Sequence, residues 1–251
     1  MKEGSTPNME ETYTYTDMLA YFGITVAHPG GRNITEKAIE HLPITNGSKI
    51  AEIGCGVGDT ASWLTKSRGA NVFGIDQHLM MIQKARKRHG EASKEKKLHF
   101  LHSSAESIPF PDNSLDGVIA ESVLSFTNVH HVLKEVKRII RPGGFFASLD
   151  LVRKPSFPIN DKDPYLEFYG LKQMFTLSEW TDLFESYGFR VTDKILEDIE
   201  TKEQDIPELV LSQDIPIPCY EIMEKHIQHL EMQQKHTSYA YFICKVDASS
   251  D

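Results

Sequence analysis

Glu52-Ile53-Gly54-Cys55-Gly56-Val57-Gly58 is the stretch on which the fold turns. Lys49–Ile53 leads into it with the length and apolar character of a short strand, and Gly58–Lys66 leads away with the pattern of a helix. Glycines at such a joint allow a tight turn and let a ligand come close to the main chain. The helix that follows offers free N–H groups and a partial positive charge, which suit an anionic group. A glycine-rich turn of this kind is also a common structural joint in α/β folds, so its meaning depends on what surrounds it.

Working downstream, Asn71–Ile75 reads as a second strand, with a helix over Leu79–His89. Leu98–His102 and Leu115–Ala120 read as a third and fourth strand. His130–Ile140 is a helix, with Val132, Leu133, Val136, Ile139 and Ile140 at helical spacing, and Gly144–Leu151 is a fifth strand. Strands alternating with helices at this pitch predict a parallel, doubly wound sheet. Residues 153–174 then break the rhythm with prolines and aromatics. Thr176 and Glu179 form a capping box ahead of a helix that buries Leu177, Trp180, Leu183 and Phe184 and ends at Gly188. Phe189–Ile195 is a strand, 197–217 an acidic segment, and Tyr220, Met223, Ile227 and Leu230 mark an amphipathic helix before a last strand, Ser238–Val246.

Working upstream, residues 11–27 carry Tyr13, Tyr15, Met18, Leu19, Tyr21 and Phe22 and read as a short helix over the core. His28-Pro29-Gly30-Gly31 breaks it. Asn33 then reads as an N-cap, with Glu36 completing a capping box for a helix buried through Ile34, Ala38, Ile39 and Leu42.

The chain has 251 residues, which fits a single α/β domain. A net charge of −9 and no basic stripe argue against nucleic acid as partner. The basic stretch Lys84–Lys97 is interleaved with Glu91 and Glu95 and reads as a solvated face. Cys55, Cys219 and Cys244 are too few and too scattered for a disulfide framework or a zinc site. The start of the chain lacks the apolar core of a secretion signal, and no apolar run reaches the ~18 residues of a membrane span. A cytoplasmic protein with no bound metal is expected.

The turn admits two cofactor readings. The dinucleotide fingerprint Gly-x-Gly-x-x-Gly fails from Gly54, where Asp59 stands in its last position, but from Gly56 it is met by Gly58 and Ala61. Glu52 opposes that reading, because a carboxylate there repels a pyrophosphate and attracts an ammonium. Asp76, twenty residues past Gly56 at the end of the second strand, is placed to accept both hydroxyls of an adenosine ribose.

Further along, Ser103-Ser104-Ala105-Glu106 follows the third strand, Phe110-Pro111-Asp112-Asn113-Ser114-Leu115-Asp116 leads into the fourth, and Arg141-Pro142-Gly143-Gly144 precedes the fifth. Taken in this order and spacing, the segments resemble the class I S-adenosylmethionine-dependent methyltransferases, in the small-molecule branch that includes the ubiquinone and sterol enzymes. The resemblance covers about residues 47–152 closely and the rest loosely. It implies a Rossmann-like sheet of seven strands, mostly parallel, with a final antiparallel strand. It implies one domain, with its core at 47–152 and 175–246, an N-terminal cap at 11–43 and inserts at 153–174 and 197–236.

By position, the resemblance implies that Gly54, Cys55, Gly56 and Gly58 lie along the methionine part of S-adenosylmethionine, with Glu52 toward its ammonium. Asp76 and Gln77 would take the ribose, Met81 would pack on the adenine, and Ala105 would offer its N–H to the ring. Ser104 stands where the family carries Asp, so the contact to the adenine amino group would either pass to Glu106 or be weaker. Glu121 would sit beside the methyl group.

Methyl transfer from a sulfonium needs positioning more than catalytic groups, because the leaving thioether is neutral. A base is required where the nucleophile must lose a proton, and His28 is the candidate. Tyr13, Tyr15, Tyr21, Tyr165, Phe168 and Tyr169 are candidates for the acceptor pocket. No Asn/Asp-Pro-Pro-Tyr segment follows the fourth strand, where Ala120-Glu121-Ser122-Val123 stands instead, and this lowers nucleobase or protein-amide acceptors. The expected function is methylation of a small molecule; a nicotinamide-dependent oxidoreductase and a silent cofactor-binding module are the alternatives.

Overall fold

The strand that enters the turn, β1 (Lys49–Ile53), lies inside a seven-stranded sheet in a computed structural model that describes residues 12–90, 97–155, 157, 163–199 and 207–247. Its neighbours are β2 (Asn71–Asp76) and β4 (Leu115–Glu121), both parallel to it. β3 (Leu98–His102) extends the sheet beyond β2, and β5 (Ile140–Arg153) extends it beyond β4, again in parallel. The far edge is antiparallel: β7 (Thr237–Val246) runs between β5 and β6 (Phe189–Asp198), opposed to both. The order is therefore β3-β2-β1-β4-β5-β7-β6. It reverses between β1 and β4, and a crevice opens at such a switch point beyond the carboxyl ends of the strands.

Both faces of the sheet are covered, so β1 buries Ile50, Ala51 and Ile53 alike instead of alternating. One face carries α2 (Gly31–Glu40), α3 (Asp59–Arg68) and α4 (Leu79–His89), whose Ile39, Leu64 and Ile82 join Ile50 and Val72 in one core. The other carries α5 (Val129–Ile139) and α7 (Leu177–Ser186). Asn128 caps α5 by accepting from the His131 amide at 3.3 Å, and Thr176 caps α7 in a capping box with Glu179. Trp180 of α7 is fully buried and its indole donates to the Leu151 carbonyl at 3.0 Å, so a large apolar body enters the core with its one polar atom satisfied.

A third apolar cluster lies apart from these two. α1 (Tyr15–Phe22), α6 (Pro164–Tyr169) and α8 (Ile217–His236) pack Tyr15, Met18, Phe22, Tyr165, Tyr169 and Cys219 together. α1 starts at a capping box of Thr14 with Asp17. α6 starts at Asp163, with proline at its first position.

Two local readings are corrected. The helix expected to start at Asn33 begins at Gly31, with Gly30 as N-cap and no side-chain cap. Gly30 and Gly31 both take positive φ, of 78° and 56°, which brings the chain into the helix early and leaves Asn33 within its first turn. At Gly30 a Cβ would stand 2.6 Å from the Tyr239 hydroxyl, so the position is closed to other residues. On α8, Tyr220 and Ile227 are exposed at 53% and 58%, while Met223 and Leu230 face inward as expected, joined by Cys219, Ile222 and His226. Residues 91–96 of the basic stretch, 200–206 of the acidic segment, and part of the aromatic insert lie outside the described residues.

Candidate active site

At the switch point a cavity of about 590 Å³ opens between the turn after β1 and the aromatic cluster of α1, α6 and α8. The turn is built by its own backbone. Gly54 and Cys55 donate their amides to the Ile75 carbonyl at 2.7 and 3.0 Å, which ties the end of β1 to β2. Gly54 and Gly56 have φ of 71° and 51°, conformations that cost an L-residue about 1–2 kcal/mol. A Cβ on Gly54 would stand 2.2 Å from Val123 Cγ2, whereas one on Gly56 would meet nothing within 4 Å. The first glycine is needed for packing, and the second leaves a bare stretch of backbone on the cavity wall.

Asp76 is fixed by this same turn. Its carboxylate accepts the Gly56 amide at 2.9 Å on one oxygen and the His78 amide at 2.7 Å on the other. Burial nonetheless holds its pKa above the ordinary value, against those two amides. Gln77, Met81 and Ala105 line the cavity beside it.

Glu52 is a buried acid of the site. It stands on the cavity wall, and its Oε2 has no hydrogen-bond partner among the described residues. Desolvation first, then the nearby Glu121, push its carboxyl well above the usual range; the Ala61 amide acts the other way. Glu121 itself is well held, accepting from Thr35 Oγ1 at 2.6 Å and from Thr60 Oγ1 at 3.4 Å. Asp59 also lines the cavity but is spent on Arg88 at 2.8 Å and His89 at 2.9 Å. Among the described lining residues there is no lysine or arginine. A wall of carboxylates without a cation is stabilised by protonation or by a positively charged ligand.

His28 lies within this wall, but both its nitrogens are engaged. Nε2 stands 3.3 Å from Thr35 Oγ1 and 3.6 Å from Glu121, and Nδ1 stands 3.2 Å from its neighbour's carbonyl at Pro29. The geometry gives it the task of holding Glu121 and leaves neither nitrogen free for an acceptor.

Other expected residues stand outside the cavity lining. Gly58 caps α3 at φ 83°, where a Cβ would strike the Phe100 ring at 2.5 Å. Ser104 is exposed and accepts the Glu106 amide at 3.1 Å. Glu106 turns toward α5, where its carboxylate accepts the Asn128 amide at 3.0 Å. It is used at a helix N-terminus, where a carboxylate is favourable, and not at the cavity. Of the five tyrosines, Tyr15 from α1 and Tyr169 from α6 line the cavity. Tyr13 and Tyr21 pair edge to face at 5.9 Å, and Tyr165 packs between Tyr169 and Phe157.

Sequence reasoning missed two lining groups, His226 and Gln233, both from α8. The i, i+3 spacing of Met223 and His226 was a signal for the inner face of α8. Ser122, at the end of β4, also lines the cavity, with a φ of 55° and a buried hydroxyl that has no partner among the described residues. Strained non-glycine backbone of this kind concentrates at functional sites.

Comparison with known proteins places this geometry. Residues 51–148 match the model of a family described as a methyltransferase domain. The chain is 30% identical over 232 residues to the uncharacterized methyltransferase YodH of Bacillus subtilis, covering 91% of this chain and 97% of that protein. It is 26% identical over 174 residues to a sterol 24-C-methyltransferase of Pneumocystis carinii, covering 66% of this chain and 46% of that longer enzyme. Among solved structures, a phosphoethanolamine N-methyltransferase of Haemonchus contortus in complex with S-adenosyl-L-methionine shares the fold, with a TM-score of 0.71 at 18% identity over 94% of this chain and 58% of that one.

Proposed function

The chain belongs to the class I S-adenosylmethionine-dependent methyltransferases, and from that premise we propose that the Glu52–Gly58 turn and Asp76 seat the cofactor while α1, α6 and α8 select a small-molecule acceptor. The observation that carries the assignment is the buried, unpartnered Oε2 of Glu52 on the cavity wall. An uncompensated carboxyl is expensive in this setting, and an ammonium against it would supply the missing partner. The donor set fits in other respects too: Asp76 presents a carboxylate pinned by two amides, and Gly56 presents bare backbone.

S-adenosylmethionine, when bound, supplies an electrophilic methyl group on a sulfonium. The protein's part is to hold and orient. Glu52 would take the ammonium, and Asp76 the ribose hydroxyls, with Gln77 beside it. Met81 and Ala105 would border the adenine. Glu121, clamped by Thr35 and His28, would keep negative charge near the sulfonium. Excluding water from the apolar side of the cavity strengthens each of these contacts.

The chain would act as one methyltransferase unit, its sheet holding the cofactor and its added helices holding the acceptor. Among the described residues no helix is long and apolar enough to cross a membrane, and no cluster of ligating side chains could hold a metal ion. Three buried, unpaired cysteines support a reducing, cytoplasmic setting.

Incubation with methyl-labelled S-adenosylmethionine and fractionated small-molecule extracts is the test. A labelled product of low molecular mass is expected. Label found only in protein or nucleic acid would contradict the proposal.

A further inference from the structure

The acceptor side of the cavity differs in chemistry from the cofactor side. Its wall is Tyr15, Phe126, Tyr169, Leu171, Met223 and Leu230, and the carboxylates all lie on the side of the turn. Within this apolar wall one polar pair stands out. His226 Nδ1 lies 3.0 Å from the Tyr169 hydroxyl, and its other nitrogen, Nε2, has no hydrogen-bond partner among the described residues. The Tyr15 ring packs against the imidazole at 5.4 Å between centroids and against Tyr169 at 4.8 Å.

From this geometry, and resting on the methyltransferase reading above, we propose that the acceptor is an uncharged, largely apolar molecule bearing a phenolic or enolic hydroxyl, and that His226, positioned by Tyr169, takes its proton. Charge selects against the alternatives. A carboxylate or phosphate acceptor would meet no lysine or arginine among the described lining residues, and an ammonium would meet no carboxylate on this side. An imidazole is a suitable base for a phenol, of ordinary pKa about 10, but is far too weak for an aliphatic alcohol.

The protonation states agree. Burial, with His229 beside it, holds His226 below its ordinary pKa of 6.5, so it is neutral at pH 7 and able to accept. Tyr15 from α1 and Tyr169 from α6 are the other titratable groups that face it, and burial raises both, so both stay neutral. The transfer requires the tautomer in which Nδ1–H donates to the Tyr169 oxygen, which leaves Nε2 the bare nitrogen. In the transfer, the acceptor O–H bond breaks and its proton passes to Nε2. The oxygen lone pair forms the new C–O bond as the methyl C–S bond breaks, and the sulfur keeps that pair. The positive charge of the sulfonium thus ends on the His226 imidazolium, and the methyl ether and S-adenosylhomocysteine leave neutral at the reacting atoms.

The test uses the full chain saturated with S-adenosylhomocysteine and two coloured probes of similar shape, 4-nitrophenol and 4-nitrobenzoate. Calorimetry should show 4-nitrophenol binding at least ~10-fold tighter, the effect of leaving a buried charge unpaired. The pH at which the bound probe gains its phenolate absorption should differ between the wild type and His226→Gln, and should shift again in Tyr169→Phe. Equal or tighter binding of the benzoate, or a pH dependence of the absorption unchanged in His226→Gln, would overturn the proposal. Should His226→Gln fail to fold, the wild-type comparison of the two probes still decides. Loss of S-adenosylhomocysteine binding by the wild type would instead remove the underlying methyltransferase assignment.

Discussion

The two halves of the cavity are built in opposite ways. The proposed cofactor half centres on one continuous run of chain, β1, its turn, α3 and β2, where the amides of Gly54 and Cys55 are tied to Ile75 and that of Gly56 to the Asp76 carboxylate. The proposed acceptor half is assembled from α1, α6 and α8, which are distant in sequence and meet through aromatic rings and the Tyr169–His226 hydrogen bond. One half is acidic and tied by main-chain hydrogen bonds; the other is apolar and joined by packing. The difference matches the division of labour in group transfer, where a common donor is held by a fixed frame and the acceptor by parts that vary.

Perturbing the base should have the largest effect. His226→Gln is expected to lower kcat by about 10²–10⁴-fold, the usual contribution of general base catalysis, with S-adenosylhomocysteine affinity unchanged. In the wild type, kcat should rise with pH as His226 loses its proton, with a midpoint below the ordinary 6.5, because the buried imidazole is a weaker base than a solvated one. A steady-state pH profile checks both, and the acid limb should vanish in the variant.

On the cofactor side, Asp76→Ala should weaken cofactor binding by about 1–3 kcal/mol through loss of charge-assisted hydrogen bonds. It also frees the Gly56 and His78 amides, so a drop in Tm should accompany it. Calorimetry and thermal denaturation together read the two effects.

Glu52 gives an effect of opposite signs. Its folded pKa lies above its unfolded value of 4.5, so its contribution to stability is fully present below that value and is lost as pH rises through the folded pKa. Glu52→Gln removes that loss, and the ligand-free variant should melt higher than the wild type near neutral pH. Added S-adenosylhomocysteine should raise the Tm of the wild type more than that of the variant.

The smallest effect separates the cavity from its surroundings. Glu106→Ala should change cofactor affinity by less than ~0.5 kcal/mol, because its carboxylate serves the start of α5. Stability should fall by about 0.5–1 kcal/mol, as for the loss of other groups at a helix N-terminus.

Much of the cofactor half was legible because its geometry is local. Positive-φ glycines, a strand ending in a carboxylate and Asp76 at a fixed distance each leave a trace in the sequence. Even there the trace was incomplete: Ser104 and Glu106 follow β3 in the expected order, yet the Ser104 hydroxyl accepts the Glu106 amide and the Glu106 carboxylate serves α5. The acceptor half was largely illegible. Aromatic residues were recognised in α1 and α6, but which of them reach the cavity depends on how three helices pack. Hydrophobic spacing turned Ile227 inward on α8, while the packing turns His226 there and leaves Ile227 at the cavity rim, mostly exposed. A histidine among apolar residues carries no mark of function until its partner, Tyr169, is brought beside it from another helix.

The central claim is that the carboxyl of Glu52 holds the ammonium of the cofactor's methionine end. It is tested most directly by measuring, in wild type and Glu52→Gln, the affinities for S-adenosylhomocysteine and for 5′-methylthioadenosine, which lacks the amino-acid group. The wild type should prefer S-adenosylhomocysteine, and the variant should lose that preference by about 10-fold or more, the size of a charge-assisted hydrogen bond, while binding 5′-methylthioadenosine as before. A preference that is the same in both proteins would contradict it.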